Sequence, residues 1–120
     1  MAMSVLGVSA MAVTLLVAVL HVYFLVLEMF LWTKPQGLKT FRNTPEKAQA
    51  TRVLAANQGL YNGFLAAGII AGLVLAQPVL VTFSLVCVVV AGAYGAWSVS
   101  PRIFPIQAVP AILALVLRAL

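Results

Sequence analysis

Charge is what this chain has least of. Only 8% of its 120 residues are charged, against 64% hydrophobic, and just two of them, Glu28 and Glu46, are acidic. A water-soluble domain carries about 25% charged residues, so most of this surface must face something other than water. Histidine and cysteine occur once each, as His21 and Cys87. A single cysteine excludes an intrachain disulfide and a cysteine metal cage. Cys87 lies inside the apolar run 85–90 and reads as a small hydrophobe. The motifs HExxH, GxSxG, CxxC and the glycine-rich phosphate loop are all missing, so the sequence calls for no cofactor and no metal.

The basic residues are informative through their placement. The net charge of +5 is a sign that often points to nucleic acid. Yet Lys34, Lys39, Arg42, Lys47 and Arg52 share one polar stretch between apolar runs. There they set membrane orientation instead, and no nucleic-acid partner is expected. A spanning helix needs about 20 apolar residues. Four stretches approach or exceed that length, near residues 4–32, 45–76, 78–98 and 103–120. The expected fold is all-α: a four-transmembrane-helix antiparallel bundle, one integral membrane domain over residues 1–120, with the lipid bilayer as its surroundings. The first run outlasts the roughly 7–15 residues of a signal h-region and has no Lys or Arg before it, so it reads as a retained span.

Local signals add detail. Thr44 as N-cap, Pro45 at the first helical position and Glu46 in the first turn mark a helix start. The short links 76–78 and 98–102 join the last three spans as successive hairpins. Pro105 is tolerated in a first turn, whereas Pro110 predicts a kink. The basic stretch and Arg102 place the first and third loops in the cytoplasm and both termini on the non-cytoplasmic side. Arg118 then lies outside, where it can snorkel from its helix end. The pairs Gly59/Gly63, Gly68/Gly72 and Gly92/Ala96 permit close helix approach, and two of them make the second span the expected packing centre.

Polar residues inside the spans carry the functional question, because an amide facing hydrocarbon without a partner is costly. His21 and Glu28 are seven residues apart on one face of the first span. At about 1.5 Å per residue, Glu28 lies roughly 6 Å inside Trp32 and His21 roughly 16 Å inside. On the second span, Asn57 and Gln58 fall about 8–9 Å beyond Arg52, and Asn62 about 15 Å beyond it. Matched depths therefore pair Glu28 with Asn57 and Gln58, and His21 with Tyr61 and Asn62. Tyr94, Trp97 and Ser98 of the third span and Gln107 of the fourth approach the same cytoplasmic half.

Three readings compete. The first is a polar cavity binding or passing a small amphipathic or lipid-like ligand. In it Glu28 and His21 are the ionisable members, Asn57, Gln58, Asn62 and Gln107 the hydrogen-bonding wall, and Trp32, Tyr61, Tyr94 and Trp97 the aromatic edge. The second is a structural or accessory subunit whose amides hold helices in register, at roughly 0.6–2 kcal/mol per contact. The third is a membrane-embedded enzyme on a lipid-like substrate, with Glu28 and His21 as acid and base. Their Cα atoms are about 10 Å apart along the helix, so direct proton transfer needs substrate or water between them. One His with one nearby Glu does not hold a metal unless copies assemble as a homo-oligomer.

The segments His21-Val22-Tyr23-Phe24-Leu25-Val26-Leu27-Glu28-Met29-Phe30-Leu31-Trp32 and Asn57-Gln58-Gly59-Leu60-Tyr61-Asn62-Gly63-Phe64-Leu65-Ala66 also carry a family likeness. The chain resembles, over essentially its whole length, a bacterial family of small four-helix membrane proteins classified as a domain of unknown function (thirteen-oh-four). The resemblance implies a multi-pass bacterial inner-membrane protein, with family motif positions at His21, Glu28, Trp32, Asn57, Gln58, Tyr61 and Asn62. It implies no activity.

Overall fold

The computed structural model describes residues 4–120, and every regular element among them is helical. In chain order these are α1 (Val5–Met29), α2 (Pro35–Phe41), α3 (Pro45–Ala50), α4 (Arg52–Val74), α5 (Pro78–Ser98), a π-helical turn (Phe104–Ala108) and α6 (Val109–Ala119). Helices α1, α4 and α5 are each long and apolar enough to cross a membrane. The last apolar helix, Phe104–Ala119, is shorter. In the most apolar window of α1 only 33% of the residues are buried, so most of its hydrophobic side chains need a nonaqueous neighbour.

The helices group into two compact units. One is Leu20–Phe64, which holds the end of α1, the connecting segment and the start of α4. Helix α1 stops at Met29, three residues short of the expected end, and the Leu31 N–H closes a wide turn onto Val26 O at 3.1 Å. The reason is visible at Gly37 of α2, where a Cβ would collide with the Leu31 carbonyl. Helix α2 is seated directly on that backbone, and α1 must end to let it in. The connecting segment was expected to be a plain loop up to Thr44. Pro35 in the first turn of α2 is the sequence sign of this extra helix.

Thr44 caps α3 as expected, its hydroxyl accepting from the Lys47 N–H at 3.2 Å. The expected single helix over residues 45–76 is instead broken at Thr51, between α3 and α4. The Thr51 hydroxyl donates to Lys47 O at 2.8 Å, a back-bond that bends helices.

The other unit combines Leu65–Leu120 with the described part of Met1–Val19. Its core is Val17, Ala18, Ile69, Val81, Leu85, Val88, Ala111 and Ala114, drawn from α1, α4, α5 and α6. Buried Thr14 and Ser84 return their hydroxyls to the carbonyls of Ala10 and Leu80, at 2.7 and 2.8 Å, which removes the cost of burying an unpaired O–H. Helices α4 and α5 are joined by a tight turn in which Ala76 takes φ 53° and the Gln77 N–H reaches back to Gly72 O at 2.8 Å. This is a helix stop built on a left-handed residue. In the last apolar helix the irregularity falls one turn ahead of Pro110, as the π turn. There Val109 N–H bonds Phe104 O, five residues back.

Candidate functional site

Within Leu20–Phe64, Glu28 closes the last turn of α1 and is 4% exposed. Its two carboxylate oxygens receive separate donors from α4. Gln58 Nε2 donates to Oε2 at 2.7 Å, and Asn62 Nδ2 donates to Oε1. Gln58 and Asn62 are four residues apart, so one helical stripe presents both amides to one carboxylate.

Close backbone approach makes this reach possible. A Cβ at Gly59 would lie 2.7 Å from Met29 Cγ, 3.1 Å from Glu28 Cβ and 3.3 Å from the Leu25 carbonyl. One turn on, a Cβ at Gly63 would lie 2.6 Å from Leu25 Cδ1. The short Asn62 side chain can therefore touch the carboxylate, because the neighbouring positions carry no side chain to hold the helices apart.

The pairing differs from the one that depth alone predicted. Gln58 bonds Glu28 as expected, but the second partner is Asn62, while Asn57, the other expected partner, is exposed about 100° around α4 from Gln58. His21 is fully buried and meets Phe24 edge-on, with ring centroids 5.2 Å apart. Tyr61 is exposed, its ring 5.8 Å from that of Phe64. Trp32 packs on Phe41 at 4.8 Å and donates its indole N–H to Thr51 Oγ1 at 3.1 Å. Neither Thr51 nor Phe41 was picked out in the sequence. Tyr94, Trp97 and Gln107 belong to the other unit. The Tyr94 and Trp97 rings are exposed and 5.9 Å apart, and Gln107 is half-buried in the π turn.

The chemistry of the cluster is that of an acceptor. The amides direct N–H groups at Glu28, which leaves their carbonyl oxygens available beside the carboxylate. Among the described residues no group of three or more His, Cys, Asp or Glu side chains comes together, so the cluster offers a single acidic group flanked by neutral oxygens.

A family model described as a protein of unknown function (DUF1304) matches residues 15–119. The chain belongs to the DUF1304 family. The match spans the first apolar helix from its middle, the whole polar cluster of Glu28, Gln58 and Asn62, and the last helix. Comparisons with curated proteins and with solved structures returned no match.

Proposed function

We propose that this DUF1304 protein is a small inner-membrane protein with four spans and both termini on the non-cytoplasmic side. Its Glu28 cluster binds or passes the donor-bearing head of a small amphipathic molecule, such as an ammonium or hydroxyl group. The observation that supports this reading is a buried carboxylate held by two amides, one of which, Gln58, reaches the exposed surface. A carboxylate inside a span is expensive to keep there, and the acceptor-rich cluster gives that expense a chemical use. Extraction into polymer nanodiscs, followed by mass spectrometry of co-purified small molecules, tests it. A molecule retained by the wild type and by Asn57→Ala but lost from Glu28→Gln supports the proposal. The same small molecules in all three preparations would sink it.

A second reading, structural glue, draws on the fact that both Glu28 oxygens already have protein partners. Under that reading Glu28→Gln retains full biological function, since an amide can occupy the same place.

A further inference from the structure

Arg118 was expected only to snorkel, and its surroundings suggest a more specific role. It lies in the last turn of α6. There it lines a cleft of about 300 Å³ together with Ser4, Leu6, Gly7, Leu117 and Leu120. Its Nε is buried and has no hydrogen-bond partner. A charged donor cut off from water without an acceptor is costly, and such groups call for an explanation. The Arg118 side chain that carries this donor borders a space large enough for a small ligand.

We propose that this cleft binds an oxyanion of the phosphate type, with Arg118 as its main ligand. The guanidinium presents its donors in a rigid fork that matches phosphate oxygens. The opposite wall is the first turn of a 25-residue helix, in which Ser4 Oγ accepts from the Gly7 N–H at 2.9 Å. A helix start favours negative charge. Leu6, Ala10, Leu117 and Leu120 supply the apolar part of the lining, so the site accepts a phosphate that carries a hydrocarbon tail. The chemistry is opposite to that of Glu28, so the two proposals stand or fall separately.

The full-length protein in detergent would be titrated with four probes at matched ionic strength: dioctanoyl phosphatidylglycerol, dioctanoylglycerol, sodium phosphate and sodium chloride. Thermal melting supplies the apparent affinities. Loss of a charge-assisted hydrogen bond corresponds to about tenfold or more in affinity. The wild type should therefore prefer phosphatidylglycerol to dioctanoylglycerol by about that factor, and Arg118→Gln should abolish the preference. Gly7→Leu, which fills the cleft and leaves the charge in place, should abolish it too. Arg102→Gln, an equal loss of charge at an exposed residue, should leave it unchanged. Response to phosphatidylglycerol alone identifies a lipid headgroup as the source, whereas an equal response to sodium phosphate identifies a free anion. No preference for either phosphate probe over its control overturns the proposal, as does a wild-type preference in Arg118→Gln. If Arg118→Gln does not fold, Gly7→Leu decides alone, and full binding by that variant rules out the cleft.

Discussion

Replacing Glu28 with leucine removes both acceptors of the α1–α4 network while keeping a side chain of similar bulk. Asn62 is half-buried and loses its bond to Oε1, and Gln58, more exposed, loses its bond to Oε2. A stranded buried donor costs about 1–3 kcal/mol, and interhelical side-chain bonds within membranes contribute about 0.6–2 kcal/mol. Because Gln58 can turn toward other acceptors, only the Asn62 donor is stranded, and the net loss should be about 2 kcal/mol, the middle of the first range. Glu28→Gln should behave differently. Its Oε1 accepts from one amide, and its Nε2 donates to the other once that amide turns over, which keeps it within about 1 kcal/mol of the wild type. Reversible unfolding by SDS titration from mixed micelles, followed by far-UV circular dichroism, gives both values. Adding Asn62→Leu to Glu28→Leu should cost little more, with a coupling of about 1 kcal/mol. The reasoning fails if the leucine variant is as stable as the wild type, or if glutamine and leucine destabilise equally.

Three other substitutions probe the surrounding framework. Gly92→Ala should destabilise by about 1–3 kcal/mol, because the new Cβ would lie 2.9 Å from the Ala108 backbone nitrogen. Gly63→Ala meets only the end of the Leu25 side chain and should cost less; melting temperatures in detergent in the reverse order would contradict both assignments. Ala76→Gly should stabilise by about 0.5–1 kcal/mol, since glycine takes the left-handed turn without Cβ strain, and an unchanged or lowered melting temperature would count against that strain. For topology, cysteines placed at Ser4 and Lys39 in a Cys87→Ala background should show labelling by an impermeant thiol reagent in intact cells at position 4 only. Labelling at 39 alone would invert the proposed orientation.

Much of this framework is legible in the chain. The apolar runs mark the long helices, Thr44 and Pro45 mark the start of α3, and the short 76–78 link marks the turn into α5. Gln58 is recognisable as a partner of Glu28 from depth. What depth omits is rotation about the helix axis. Asn62 shares the face of Gln58, and that shared face outweighed the depth match that assigned it to His21. The break at Thr51 escaped notice because one hydroxyl serves two partners, Lys47 O and the Trp32 indole, and only the second is distant in sequence. Helix α2 is hidden because a seven-residue segment with a glycine inside it has little helical propensity of its own; its place comes from that same glycine, which lets it rest on the α1 exit.

The wide turn at Phe104–Ala108 has a consequence for chain length. Ile103 and Ala108 are five residues apart, yet they rest on Gly95 and Gly92 of α5, which are only three apart. The π turn absorbs the surplus, so the stretch from Ile103 to Ala108 behaves as an ordinary helical turn carrying one inserted residue. A chain shortened by one residue there could make both contacts with regular α geometry, leaving the phase of Ala111 and Ala114 beyond it untouched. The same deletion at Pro110, inside α6 and ahead of both, would rotate those alanines about 100° off the core. The segment just ahead of Pro110 is thus the place in this helix where sequence length can change by one without changing which side faces inward.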